Sequence, residues 1–427
     1  MSELPRYQKF KPTEALVVSK EGVIVGELLK VDGKGIYFTY DKSWLAKGFN
    51  LSPITMKFDA LPQLAAHVRT FNGLHGPFAD SLPDGWGLLL MNRFFNATFG
   101  DGTARAITML DRLAYMGERG MGAFEYHPKT ENEVLAGPLD IAELFRASQE
   151  IWEGETTEVL TKLRLAGGSP GGARPKAVVA LSADGKHAVS AFAKTPSGYD
   201  HWMVKYRATD EPIETGAIEY AYAEMARDAG VIVAESKLLT QAMPNGNVER
   251  FFASKRFDRE ASKKIHMMTV SALMYADFRA PTMDYSDMLK LTHVLTNSAV
   301  EVEKMARLMI FNALSHNFDD HTKNFAFLCK ESLHASHEAT WTLAPAYDLT
   351  YAEARGEHST TFAGHGKPTR RIINQICKDY RFLKTNDYID QTLAALNNWQ
   401  NQFSRYQIPQ NLGASIFRVL QEIHKYF

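Results

Sequence analysis

The stretch Asn317-Phe318-Asp319-Asp320-His321-Thr322-Lys323-Asn324 decides how this chain is read. It sets a carboxylate at Asp319 and an amide at Asn324, in a segment flanked by apolar residues. In kinase catalytic loops an Asp-x-x-x-x-Asn spacing lets the Asp accept the proton of a substrate hydroxyl while the Asn holds a metal ion. A further acid, Asp348, follows in Ala344-Pro345-Ala346-Tyr347-Asp348-Leu349-Thr350. The set points to metal-assisted phosphoryl transfer.

Outward from that stretch the pattern is helical. Val300 to Leu314 has the composition of a helix running directly into the motif, and Tyr388 to Phe427 also reads as mainly helical. Helical patterns dominate from Thr269 onward. Upstream, Ala177 to Leu181, Trp202 to Tyr206 and Phe251 to Phe257 read as strands. Ile218 to Ala229 reads as a helix that Gly230 stops, and Pro138 to Trp152 as another. The first part is β-rich: Ala15-Leu16-Val17-Val18 and Val23 to Leu28 flank Lys20-Glu21-Gly22, a hairpin signal, and Ile36 to Tyr40 adds a strand. A turn-rich segment from Phe78 to Gly87 precedes an apolar stretch, Leu88 to Phe95, that starts a helix. The expected division is 1–133, a β-rich domain; 134–262, a lobe with strands and a glycine-rich turn; and 263–427, a helical lobe.

Composition excludes several classes. A chain of 427 residues with 45% hydrophobic content can bury a sizeable core. Its net charge of −1 gives no global pull toward nucleic acid. Two cysteines, Cys329 and Cys377, lie far apart and outside any metal-ligand spacing. That argues against a disulfide scaffold and for a reducing cytoplasm. Met1 to Pro12 lacks the apolar centre of a signal peptide, and no run of apolar residues is long enough for a membrane span.

Phosphoryl transfer needs cover for the phosphates, a cation on them, metal ligands and a group that orients the nucleophile. Each has a candidate, in kinase order. Gly167-Gly168-Ser169-Pro170-Gly171-Gly172 allows backbone N–H groups close to phosphate oxygens, although it lacks the Gly-Lys-Ser/Thr of a Walker A motif. Lys205 sits in an apolar strand, and Glu219 on the following helix can pair with it. The bland alternative is an edge-strand lysine that snorkels to solvent and a surface glutamate. The bland alternative for Asp319 is a helix-ending or turn residue, and for Asp348 a helix N-cap. Adjacent acids at Asp319 and Asp320 repel unless cations lie near. His321 reads better as a hydrogen-bonded loop residue than as a ligand, since Mg²⁺ prefers oxygen.

With those residues in view, the sequence resembles the HipA family of serine/threonine kinases, the toxin halves of bacterial type II toxin–antitoxin pairs. The resemblance rests on Asp80-Ser81-Leu82-Pro83-Asp84-Gly85-Trp86-Gly87, on Gly120-Met121-Gly122-Ala123 followed by Pro128, and on Gly171-Gly172-Ala173-Arg174-Pro175-Lys176. It continues through Arg256-Phe257-Asp258-Arg259, the opening stretch and Ala344 to Asp348. It implies an α+β fold: a two-lobed protein-kinase-like core, with a β-containing N-lobe and a helical C-lobe, behind an extra N-terminal β-rich domain. It implies ATP and Mg²⁺, Asp319 as general base, Asn324 and Asp348 as metal ligands, and Lys205 as the phosphate-binding lysine. Gly171, Gly172, Ala173, Arg174, Lys176, Glu219, Lys255, Phe257 and His321 would complete the nucleotide site. Ser169 stands where family members autophosphorylate. A phosphate there adds about two negative charges and would repel those of ATP. A turn serine before Pro170 is its other reading. The family's partner, a helix-turn-helix antitoxin of HipB type, would supply contact with DNA, and an aminoacyl-tRNA synthetase is a candidate substrate.

The sequence departs from eukaryotic kinases: no His-Arg precedes Asp319, and no Phe-Gly follows Asp348. Activation-loop control is therefore not implied. Two other readings stay open on the same residues: a catalytically silent, antitoxin-binding co-repressor, and an ATP-dependent nucleotidyltransferase.

Overall fold

A computed structural model describes residues 7–130, 137–152, 161, 163, 164, 166, 171–244, 246–260, 263–331, 339–352 and 356–427. The chain forms two compact units. One holds Met1–Thr209, Asp258–Met267 and Glu331–Ala339; the other holds Asp210–Phe257, Met268–Lys330 and Thr340–Phe427.

The first unit opens with an antiparallel sheet in the order Gln63–Leu64, Gly35–Tyr40, Val23–Val31, Ala15–Lys20, Glu125–His127. Its first hairpin turns at Glu21 and Gly22, with φ of 50° and 82°. Positive φ at both central residues matches the strand twist, which is why Gly22 serves there. Alternation places Ile36, Phe38 and Tyr40 on the buried face. Phe78 and His75 pack against the Phe38 ring there, at centroid distances of 4.9 and 5.9 Å. A second antiparallel set runs Tyr199–Lys205, Lys176–Ser182, Ala188–Ser190, Pro138–Leu139. Lys176–Leu181 is buried throughout, which explains the unbroken apolar run in the sequence.

Helix Gly85–Phe99 begins at Gly85, earlier than the apolar stretch from Leu88 indicates. The expected helix from Pro138 is a two-residue strand followed by helix Ile141–Trp152. Asp140 breaks the two apart, and its Oδ1 accepts from the Ala142 N–H at 2.8 Å.

Two histidines in this unit are buried among rings. His75 bonds the Gln63 carbonyl through Nε2 at 2.9 Å, and His266 bonds the Leu51 carbonyl at 2.8 Å. Burial pushes each imidazole down from 6.5 to about 4. Between those values the unfolded chain binds protons that the folded unit does not. The stability this confers is therefore complete above pH 6.5 and is lost as pH falls toward 4, at most about 3 kcal/mol per histidine. Urea unfolding at a series of pH values should show that acid slope, and His75→Phe should flatten it. An unchanged slope in the variant would count against the assignment.

The second unit contains helix Thr215–Asp228 and the hairpin Ser236–Ala242/Val248–Lys255. Its strand ends at Lys255 rather than at Phe257. The first paired residue of the hairpin's partner strand is Ser236, opposite Ser254, so the hairpin ladder ends before Arg256 and Phe257. Helices dominate the rest: Tyr285–Thr296, Ala299–Ser315, Thr385–Asn397, Trp399–Arg405 and Gln410–His424. To these the structure adds a small sheet in the order His266–Thr269, Ala326–Glu331, Ala339–Leu343.

Helix Ala299–Ser315 leads into the motif. Ser298 caps its start by accepting from the Glu301 N–H, and His316 ends it in the left-handed region. Glu301 is buried, pairs with Lys304 at 2.7 Å and accepts from the Leu343 N–H at 2.8 Å, tying helix to sheet. Arg307 lies over the Tyr388 ring at 3.9 Å, which holds Thr385–Asn397 against the same helix. Among the described residues no helix is long and apolar enough to cross a membrane.

Candidate active site

The motif loop leaves helix Ala299–Ser315 and is fastened from beneath by Asp320. That carboxylate is 1% exposed. Its Oδ2 accepts from the Tyr285 hydroxyl at 2.7 Å and faces His358 Nδ1 at 2.9 Å. Its Oδ1 accepts from the backbone N–H groups of Ser359 and Thr360, at 2.8 and 3.2 Å. The chain continues inward: Asn312 Nδ2 donates to the Tyr285 oxygen, and Asn317 Nδ2 donates to Asn312 Oδ1, each at 3.0 Å. A buried carboxylate is tolerable only when so many donors replace its water.

Asp319 is turned the other way. Its side chain is 58% exposed, with His321 Nε2 3.8 Å from Oδ1. Asn324 closes the loop: its Nδ2 donates to the Asp319 carbonyl at 2.7 Å, and its N–H donates to the His321 carbonyl at 2.8 Å. With Nδ2 committed, the Asn324 amide oxygen is left as an acceptor. The His321 ring packs 5.5 Å from that of Phe278, and its Nδ1 is buried.

The segment bearing Asp348 runs alongside. Phe318 N–H donates to the Ala352 carbonyl at 3.3 Å, and Ala352 N–H donates to that of His316 at 3.1 Å. Tyr347 donates its hydroxyl to the Lys323 carbonyl at 2.7 Å. Asp348 itself adopts φ of 57°, a left-handed conformation that costs energy for a residue with a Cβ. Phe257 packs on Tyr347 with ring centroids 5.3 Å apart, Lys255 pairs with Glu235 at 3.3 Å, and Glu219 is buried on helix Thr215–Asp228.

In the first unit, Lys205 and Lys176 are directly opposite each other in register, so both ammonium stems leave the same face. Both are buried. Lys176 Nζ donates to the Gly171 carbonyl. Gly171, Gly172 and Ala173 are exposed and Arg174 is half-buried. Ser169 lies outside the described residues.

The turn is held by residues whose role the sequence did not disclose. Asp84 accepts from the Gly172 N–H, and the Trp86 N–H donates to the Gly172 carbonyl at 3.1 Å. Gly85 sits at φ of +44°, and a Cβ there would come within 2.3 Å of the Gly172 oxygen. The Asp-Gly-Trp signature is thus a clamp on the glycine turn. The available signal was an Asp-Gly pair opening a helix; the partner lay far away in sequence. Gly122 is fixed in a similar manner, its N–H donating to buried Asp258 at 2.7 Å, with Arg259 paired to that carboxylate at 2.9 Å.

No group of three or more His, Cys, Asp or Glu side chains among the described residues could hold a metal ion. The candidates Asn324 and Asp348 offer oxygen donors, one amide and one carboxylate. That set suits Mg²⁺, which keeps waters and takes substrate phosphates alongside one or two protein ligands.

Comparison with known proteins decides the family. A model of the HipA N-terminal domain matches residues 16–127, and one of the HipA-like C-terminal domain matches residues 168–403. The chain belongs to the HipA family. A HipA from Shewanella oneidensis MR-1, solved with HipB and its operator DNA as a toxin–antitoxin complex, is 17% identical. The match covers 96% of this chain and 95% of that one, with a TM-score of 0.65. The shared fold is a two-lobed, protein-kinase-like core with an added N-terminal β-rich domain, as expected. The Helicobacter pylori proinflammatory kinase CtkA is 14% identical over 53% of this chain and 85% of that one; its TM-score of 0.37 is too low to carry weight. A search of the curated proteins found no match. The clamp Asp84-Gly85-Trp86 falls within the first matched HipA domain and grips a turn in the second.

Proposed function

We propose that this HipA-family chain is an ATP- and Mg²⁺-dependent serine/threonine protein kinase. In this reading it is the growth-inhibiting toxin of a toxin–antitoxin pair and acts in the cytoplasm. The observation that carries the proposal is the opposite treatment of two adjacent acids: Asp320 is buried under four hydrogen-bond partners, while Asp319 is presented to solvent on the loop that Asp320 fixes.

Asp319 would accept the proton of a substrate hydroxyl and aim its oxygen. Asn324 and Asp348 would hold Mg²⁺. ATP, when bound, supplies the phosphoryl group. Lys176 and Lys205, as neighbouring cations on one face, would take the phosphates. The Gly172 N–H is already engaged by Asp84, so phosphate contact falls chiefly to those lysines and to Arg174. Glu219, Lys255, Phe257 and His321 would line the nucleotide. The kinase N-lobe would span 134–262 and the C-lobe 263–427, behind a partner-facing domain of 1–133. Ser169 is the proposed autophosphorylation site, where about two added negative charges would oppose ATP phosphates.

The Shewanella relative was solved with HipB and operator DNA. By analogy this chain would bind a HipB-like helix-turn-helix antitoxin and meet DNA through it. An aminoacyl-tRNA synthetase is a candidate substrate.

The test is incubation of the purified chain with γ-labelled ATP and Mg²⁺, beside Ser169→Ala. Label on the wild type and none on the variant is the expected result. Transfer from α-labelled ATP instead would favour nucleotidylation. Binding of ATP with no transfer, and no effect on growth when expressed, would leave the co-repressor reading.

A further inference from the structure

Helix Gly85–Phe99 in the first unit starts without its usual cap. Asp84 stands at the N-cap, where an aspartate ordinarily accepts from the helix's own first N–H groups, yet its side chain makes no such bond. It reaches the glycine turn instead and accepts from the Gly172 N–H, 88 residues away in sequence. Trp86, in the first turn of the helix, gives its N–H to the Gly172 carbonyl at 3.1 Å. A Cβ on Gly171 would lie 3.1 Å from each oxygen of the Asp84 carboxylate. The carboxylate therefore rests against the backbone of Gly171 while it holds the N–H of Gly172.

That is the place a phosphate oxygen takes at a turn of this kind: on a main-chain N–H, against glycine backbone, with no side chain between. The turn is open to a ligand, since Gly171 and Gly172 are exposed and Asp84 is only half-buried. Positive charge is close by. Lys176 Nζ donates to the Gly171 carbonyl and lies 2.7 Å from where a Gly172 Cβ would be. Lys205 is opposite Lys176 in strand register, and Arg174 follows two residues after Gly172. The turn thus offers a donor and neighbouring cations to an anion, and the chain's own carboxylate already holds the donor. Tethering one N–H needs only an acceptor oxygen, which an amide also has. What a carboxylate adds is its charge, and that charge acts on any phosphate that approaches.

We propose that Asp84 is a built-in competitor of the nucleotide's phosphates, an autoinhibitory contact that lowers ATP affinity. This rests on the reading that the glycine turn meets the phosphates of ATP. Those phosphates reach the turn only as Asp84 gives up the Gly172 N–H. Until then they meet Lys176, Lys205 and Arg174 beside a fixed negative charge. Asp84 belongs to the matched N-terminal domain and the turn to the matched C-terminal one, so the brake is applied by one domain to the other.

Calorimetry with ATP and Mg²⁺ on the full chain tests it, with wild type beside Asp84→Asn and Asp84→Ala. Asn keeps an acceptor oxygen for the Gly172 N–H and removes the charge; Ala removes both. Each variant should bind ATP roughly three- to tenfold more tightly than wild type, the scale of relieving a partly exposed like-charge contact. Adenosine brings no phosphate and should bind all three proteins alike, as followed by ligand-observed NMR; that arm also shows that each variant is folded. A role confined to shaping the turn gives the opposite pattern, with Asn equal to wild type and Ala weaker. ATP binding by Asp84→Asn that equals or falls below wild type, with adenosine still bound, overturns the proposal and leaves the kinase reading standing. Should Asn fail to fold, the same criterion applies to Ala. Absence of ATP binding by all three proteins overturns both.

Discussion

Replacing Asp320 by Ala is expected to cost the second unit about 3–5 kcal/mol of stability, the range for removing one partner from a buried charged network. Four donors would lose their acceptor together: the Tyr285 hydroxyl, His358 Nδ1, and the N–H groups of Ser359 and Thr360. The two backbone groups have no alternative rotamer and must find water in a packed region. Asp320→Asn should be milder, about 1–2 kcal/mol, because an amide keeps one acceptor oxygen and each unmet group costs in that range. The Tyr285 hydroxyl can turn to accept from the new NH₂, and His358 can move its proton to Nε2. Urea midpoints for the three proteins, with the circular dichroism signal as readout, check the order wild type, Asn, Ala. An Ala variant that unfolds with the wild type would show that the network is not what holds the loop.

That network also marks where sequence reading stops. The helix before the motif was legible because residues 300–314 carry helical composition, and structure gives Ala299–Ser315. The first hairpin was legible because Lys20-Glu21-Gly22 sits between apolar runs, and both turn residues adopt positive φ. Asp319 and Asn324 could be named as candidates because the roles proposed for them rest on local spacing, and the structure places both on one loop. Asp320 was readable only as a neighbour. Its partners come from Tyr285, His358, Ser359 and Thr360, and no periodicity relates those positions. The clamp of Asp84 on Gly172 spans 88 residues and was hidden for the same reason. Pairing of Lys176 with Lys205 required strand register, which the strands' own composition does not give. Phe251 to Phe257 was read too long because Phe257, a strand-forming aromatic, lies just past the end of the hairpin ladder at Ser254. The left-handed backbone of Asp348 had no signal at all, since nothing about Ala-Tyr-Asp-Leu demands it.

Asp319→Asn should lower phosphoryl transfer by about 10²–10⁴-fold, the usual contribution of a positioned general base. An amide of the same shape cannot take a proton from a hydroxyl at neutral pH. Stability should stay within about 0.5 kcal/mol of wild type, as for most exposed substitutions. The Asp319 side chain is 58% exposed, and the bond that closes the loop uses its backbone carbonyl, which Asn also provides. Nucleotide affinity should change little, because the groups proposed to take the phosphates are Lys176, Lys205 and Arg174. Initial rates with γ-labelled ATP, nucleotide binding by calorimetry and a thermal melt on the same preparation measure the three quantities. A variant that keeps more than a tenth of the wild-type rate would remove Asp319 from the chemistry. Set beside Asp320→Ala, the result separates two consecutive acids by kind: one variant should lose rate while folding normally, and the other should lose its fold first. The stability half of that contrast follows from burial; the rate half follows from the proposed general-base role of Asp319. Asp320 holds the loop through four buried partners while Asp319, next to it, stays solvated.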